Sequence, residues 1–407
     1  MRVFSFLLPP GTHPDAALIL AARGIRAFTD GYVALLLPYY LILLGYGAFQ
    51  VGMITTATLL GSGLLTLLVS VFAYRFRLHA LLTAACLLML GTGLGFAVIT
   101  DFWPLLLIAV IGTLNPSSGD VSVFSPLEQS LLSHSVTNEH RTALFARYSL
   151  VGNLVGAFGA LAAAVPGLLA QGGVLELKAG VQAMFAVYGL SSLAVLALYH
   201  QLASARARGD ETHAAPLGPS KRIVYRLAAL FSLDSFAGGF AVQSLLALWL
   251  FQRFDLSIET AGTIFFWTGV LSALSFLAAP VIARRIGLVN TMVFTHLPAN
   301  VFCVLVPFMP TLSLALACLF ARSFLSQMDV PPRASYVMAV VSPGERAAAA
   351  GVTAVPRSLA SAVSPMIAGY LLGISTFGWP LVICGALKIV YDLTLLGMFR
   401  KVKPPEE

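Results

Sequence analysis

Apolar runs of about 20 residues recur from one end of this chain to the other, and each is long enough to cross a bilayer as a helix. Only short polar turns separate most of them, which leaves no stretch for a separate water-soluble domain. Of 407 residues 58% are hydrophobic and only 10% are charged, with a mean hydropathy of +0.88. A water-facing globule carries roughly 25% charged residues. Most of the surface is therefore expected to face lipid, and the fold class is an all-α membrane protein. The opening MRVFSFLLPPGTHPD has one Arg, a short apolar run and three prolines, which is unlike a cleavable signal peptide.

The pattern predicts twelve spans, at about 16–44, 48–74, 79–100, 102–133, 142–170, 180–202, 223–252, 257–281, 288–309, 311–341, 347–373 and 378–399. The one long polar stretch, Ala203 to Arg222, carries Arg206, Arg208, Asp210, Glu211, Pro216 and Pro219, which is linker chemistry. It divides the chain into an N-terminal bundle (1–202), a cytoplasmic linker (203–222) and a C-terminal bundle (223–407). With the N-terminus inside, the inner loops receive Arg75, Arg77, Arg141, the linker cluster, Arg284, Arg285, Arg346, Arg400, Lys401 and Lys403. The outer loops receive little beyond Lys178 and Arg253. Basic loops stay on the cytoplasmic side, so a multi-pass protein of the cytoplasmic (inner) membrane with both termini inside is expected. The net charge of +7 belongs to those loops and does not indicate a nucleic-acid partner. Cys86, Cys303, Cys318 and Cys384 all lie in apolar runs without metal-ligand spacing, so buried thiols and no metal are expected.

The halves repeat. A shift of about 205 positions lays Pro126 on Pro331, Glu128 on Arg333 and Arg141 on Arg346, and nearly the same shift brings Asp30 beside Asp234. Parallel six-helix repeats about an axis along the membrane normal are one transporter architecture. With these features the chain resembles the major facilitator superfamily over nearly its whole length. The family's loop motif between helices two and three stands here as Phe72-Ala73-Tyr74-Arg75-Phe76-Arg77, with Tyr74 where the family has an acid. The copy between helices eight and nine reads Pro280-Val281-Ile282-Ala283-Arg284-Arg285-Ile286-Gly287, with Arg284 in the acid's place. Gly152, Gly156 and Gly159 echo the family's antiporter motif in helix five without its proline, and Ser364-Pro365 with Ala368-Gly369 echo it in helix eleven. The resemblance implies two pseudo-symmetric six-helix bundles, with helices one, four, seven and ten along the path. It also implies that three, six, nine and twelve are peripheral.

Ionisable groups inside apolar spans are costly and mark candidate function. The fourth span breaks at Asn115-Pro116-Ser117-Ser118-Gly119-Asp120 and continues to Glu128, so this face is expected to line a watery cavity or pack on other helices. In the first span Arg23, Arg26 and Asp30 share one helical face, and Arg26 and Asp30 are spaced to pair. Asp30, Asp120 and Asp234 are the candidate proton carriers, since a carboxylate in a partly dry cavity can exchange a proton near neutral pH. Asn115, Glu128, Arg147, Arg322, Asp329, Arg333 and Arg357 are the candidate solute contacts. The arginines cannot deprotonate and each needs an anion, either an internal acid or a carboxylate- or phosphate-bearing solute. Lys388 and Asp392, four apart, are expected to pair with each other, and His296 is expected to be a packing or hydrogen-bonding histidine.

Enzyme chemistry finds no support: no P-loop, HExxH or GxSxG occurs, and Ser117-Ser118-Gly119-Asp120 lacks the first glycine of a GxGD protease. The expected function is secondary active transport of a small molecule or ion, coupled to protons, with export by antiport as the favoured direction and no cofactor. An anion exchanger or facilitator using the intramembrane arginines is the nearest alternative. A non-transporting receptor on the same fold is the alternative from another class.

Overall fold

The computed structural model describes residues 8, 12–72, 76–117, 122–135, 138–202, 218–341 and 345–400. Sixteen α-helices and no strand occur among them. The first half holds α1 (Asp15–Leu43), α2 (Ala48–Phe72), α3 (Leu78–Val98), α4 (Phe102–Ile111), α5 (Phe124–His134), α6 (Asn138–Ala162), α7 (Val165–Gln171) and α8 (Leu177–His200). The second holds α9 (Lys221–Gly239), α10 (Gln243–Phe254), α11 (Ile258–Ile286), α12 (Leu288–Leu305), α13 (Leu312–Leu325), α14 (Val330–Ala339), α15 (Arg346–Ile374) and α16 (Trp379–Phe399). Most of the expected linker lies outside the described residues.

Eight segments among the described residues are long and apolar enough to cross a membrane by length and composition. The first, fourth, tenth and eleventh expected spans fall short of that standard. The fourth span is α4 and α5, the seventh is α9 and α10, and the tenth is α13 and α14. Each break has a local cause. Gly112 turns extended at the end of α4 and Asn115-Pro116 lie in the break that follows, Gly238-Gly239 precedes the gap before α10, and Pro331-Pro332 sit in the first turn of α14.

Helix pairing repeats between the halves. In the first, α1 packs on α6, α3 on α8 and α2 on α4; in the second, α9 packs on α15, α12 on α16 and α11 on α13. The halves meet along two seams, α2 against α15 and α6 against α11. Glycine makes the first seam. A Cβ on Gly52 would stand 2.6 Å from the Pro365 carbonyl oxygen, and one on Gly369 would stand 2.6 Å from that of Ala48. In a membrane such backbone approach replaces the hydrophobic drive that lipid cannot supply. The rings of Tyr39 and Phe251 meet edge to face at 5.7 Å at the same end of the bundle.

Candidate functional site

A cavity of about 420 Å³ lies where the broken spans meet. Its wall takes Ser117 from the break after α4, Asn153, Gly156 and Ala157 from α6, Gln243 and Leu246 from α10, and Phe265, Thr268 and Ser272 from α11. His296, Asn300, Leu319, Arg322, Ser323, Gln327 and Lys388 close the side toward the second half. One hydrogen bond joins the halves across it: the Ser244 amide donates to the Pro116 carbonyl at 3.1 Å. The first N–H groups of a helix have no partner within it. The break after α4 thus supplies an acceptor to the first turn of α10.

The second half buries a charge cluster beside this wall. Lys388 Nζ donates to Asp234 Oδ1 at 2.6 Å, and Arg333 Nη2 reaches Asp234 Oδ2 at 3.0 Å. Arg333 also bonds Asp329, one turn before it. His296 Nδ1 lies 2.8 Å from Asp392 Oδ1, Asn300 Nδ2 donates to Asp392 Oδ2 at 2.8 Å, and His296 Nε2 lies 4.0 Å from Asp234. Lys388 and Asp392 therefore do not pair with each other. They lie four residues apart on α16, but each is aimed at a different helix, Lys388 at α9 and Asp392 at α12. His296 is a hydrogen-bonding histidine that also lines the cavity and lies between two acids, with Asn300 one turn further along the same face.

The first half has a second cluster. Glu128 is fully buried and bonded to Arg26, and accepts from Tyr148 Oη at 2.6 Å and Tyr199 Oη at 2.7 Å. Arg26 thus pairs across to α5, not along α1 to Asp30 as the spacing suggested. Asp30 is buried, with the side chains of Arg23, Arg26 and Asn115 near it. Asn115 Oδ1 accepts from the Ser117 amide at 3.1 Å and its hydroxyl at 2.9 Å, so Asn115 stands between Asp30 and the cavity wall.

The remaining expected residues fall as follows. Asp120 lies outside the described residues. Arg147 is half-buried on α6 and is not on the cavity wall. Arg322 is on the wall, while the half-buried Arg357 is held behind it by Ser235 Oγ at 3.3 Å from its Nε. Of the candidate solute contacts, only Arg322 reaches the cavity directly. Thr268 was missed, because a single uncharged polar residue in an apolar run gives no sign of which way it faces. No group of three or more His, Cys, Asp or Glu side chains suited to a metal occurs among the described residues.

Two repeated bundles with interrupted helices meeting at a polar cavity define the architecture of a secondary transporter. The major facilitator superfamily model matches residues 19–326, and the chain belongs to that superfamily. It is 24% identical to the uncharacterized membrane protein YJR124C of Saccharomyces cerevisiae, over 95% of this chain and 94% of that one. Among solved structures it resembles a bacterial homolog of the human lysosomal transporter Spinster, inward-facing and occupied (TM-score 0.71, 13% identity, 95% of this chain and 97% of that one). It also resembles the nucleoside transporter NupG (TM-score 0.70, 14% identity, 96% and 100%). A third likeness is to the human organic anion transporter MFSD10 (TM-score 0.66, 18% identity, 94% and 99%). At these identities the structural likenesses speak to the fold.

Proposed function

We propose that the chain is a proton-coupled secondary transporter working by alternating access, with the cavity between the halves as its solute site and Asp30 as the group that takes and releases the proton. The observation that carries the reading is the succession Asp30, Asn115, Ser117, which leads from a buried carboxylate past a neighbouring amide to the cavity wall, with Asn115 hydrogen-bonded to Ser117. Protonation of Asp30 removes its charge and changes what Asn115 can donate to. The Ser117 end of the break after α4 is then free to shift relative to α10. A proton biases an equilibrium only through such a difference between states. Asp234 is held by Lys388 and Arg333 and acts in this proposal as a charge pair re-made at each swing. Asp120, three residues beyond Ser117, is the third acid of the pathway.

Solute leaves and protons enter in this scheme, with both termini on the cytoplasmic side of the inner membrane. Fold neighbours that carry nucleosides or organic anions do not select between substrates, because sites are grafted onto shared folds. The test is uptake of a solute panel into proteoliposomes with a pH gradient imposed in either sense. Antiport accumulates solute when the lumen is acid, and Asp30→Asn loses that gradient-driven uptake while still inserting and folding. Gradient-driven uptake unchanged in Asp30→Asn would remove Asp30 from the mechanism. Uptake indifferent to the gradient and to an uncoupler would replace proton coupling by facilitation.

A further inference from the structure

We infer that the cavity is built for a small polyhydroxylated solute carrying one negative charge, a hydroxy-monocarboxylate, with the Arg322 guanidinium as its anchor. The inference rests on the cavity being the solute site. Seven charged side chains lie deep in the second half: Arg322, Arg333, Arg357 and Lys388 against Asp234, Asp329 and Asp392. The acids are already engaged. Asp234 takes Lys388 and Arg333, Asp329 takes Arg333, and Asp392 takes His296 and Asn300. With the acids so engaged, Arg322 and Arg357 are the two cations without an acid among the described ion pairs. Arg357 rests on Ser235 away from the wall. Arg322 is on the wall, with no acid among the described ion pairs and its Nε buried without a hydrogen-bond partner. Its near neighbours are the thiols of Cys303 and Cys384. These are weak partners for a planar fork of five donors that matches a carboxylate. A guanidinium stays charged, and holding one half-buried, with its Nε out of reach of any partner and no anion, is unfavourable. An arriving carboxylate removes that penalty.

The uncharged part of the wall specifies the rest of the solute. The Thr268 hydroxyl donates to the Phe265 carbonyl at 2.9 Å, Ser323 to Leu319 at 2.8 Å, and Ser272 to Ser323 at 3.4 Å. The Asn153 amide nitrogen donates to Ser149 at 2.9 Å. The three hydroxyls have spent their protons on backbone and retain acceptor oxygens, whereas Asn153 keeps a second amide N–H beside its Oδ1, and Gln243 and Gln327 add amides that donate and accept. Groups that both donate and accept suit a ligand rich in hydroxyls, which do the same. The volume of about 420 Å³ lies within the range of small-molecule sites. A single unpaired guanidinium on the wall fits a single carboxylate, whereas a phosphate monoester brings about −1.5 to −2 at neutral pH.

A matched series tests this with purified protein: gluconate, its neutral counterpart sorbitol and its dianionic counterpart glucarate. Gluconate is expected to raise the unfolding temperature saturably, with sorbitol and glucarate about ten- to a hundredfold weaker. Arg322→Gln should lose the preference for gluconate, and without ligand it should be at least as stable as wild type, because an unneutralised charge has been removed. An Arg322→Gln protein clearly less stable than wild type would mean that the guanidinium already has its counter-charge, and would overturn the inference. Absence of saturable stabilisation by gluconate, or an equal effect from sorbitol, would overturn it too. In proteoliposomes, sorbitol or glucarate carried in place of gluconate would overturn the substrate class and leave transport standing. Gluconate bound by wild type but never carried would support the site and overturn the transport reading alone.

Discussion

Glu128 illustrates how a buried charge holds a membrane bundle together. Its carboxylate has three donors, Arg26, Tyr148 and Tyr199, from three different helices. Breaking a buried ion pair by removing one partner costs about 3–5 kcal/mol, since the other charge is left uncompensated. Glu128→Gln is therefore expected to lower the unfolding temperature in detergent sharply, whereas Tyr148→Phe removes one hydrogen bond at a cost of about 1 kcal/mol. Equal, small shifts from the two substitutions would show that Arg26 finds another anion. Glu128 was legible in the sequence as an unusual acid in an apolar span, but its partners were not. The spacing of Arg26 and Asp30 suggested a pair within α1, yet spacing describes one helix and says nothing of what the facing helix offers. The same lack led Lys388 and Asp392 to be read as partners, when each reaches a different neighbour.

The helices themselves were well marked. The first span, expected at about 16–44, is Asp15–Leu43, and the last, expected at about 378–399, is Trp379–Phe399. Hydropathy sets such bounds because lipid admits only backbone that satisfies its own hydrogen bonds. Asn115-Pro116 announced the break after α4, but the break before α10 was only hinted at by Gly238-Gly239. The glycines of α6, read as an antiporter echo, have a packing task as well: a Cβ on Gly159 would stand 2.0 Å from the Phe28 carbonyl oxygen of α1. Close approach at the α2–α15 seam gives a sharper prediction. A Cβ at Gly369 would stand 2.8 Å from the Gly52 Cα, and backbone on both sides cannot yield. Gly369→Val should part the two helices, slow solute exchange and expose the seam to a thiol reagent at an introduced cysteine, Thr56→Cys. Wild-type exchange with that cysteine still protected would show that the seam tolerates the extra bulk.

The two halves were visible in sequence as a polar linker and a shift of about 205 positions, and the helix pairings repeat accordingly. The cavity was legible only as a concentration of polar residues in the fourth, seventh and tenth spans. His296 and Asn300 came from the ninth, which the resemblance placed at the periphery. A central cavity reached alternately from the two sides is what the account most depends on. Gln243, on the wall beside the junction of the halves, is the position from which to test it. In a protein with Cys86, Cys303, Cys318 and Cys384 replaced by alanine, Gln243→Cys would be treated with a membrane-impermeant thiol reagent from either face of the membrane, with and without a pH gradient. The account predicts labelling from one face in one condition and from the opposite face in the other. Labelling confined to the same face in both conditions, or absent in both, would contradict it.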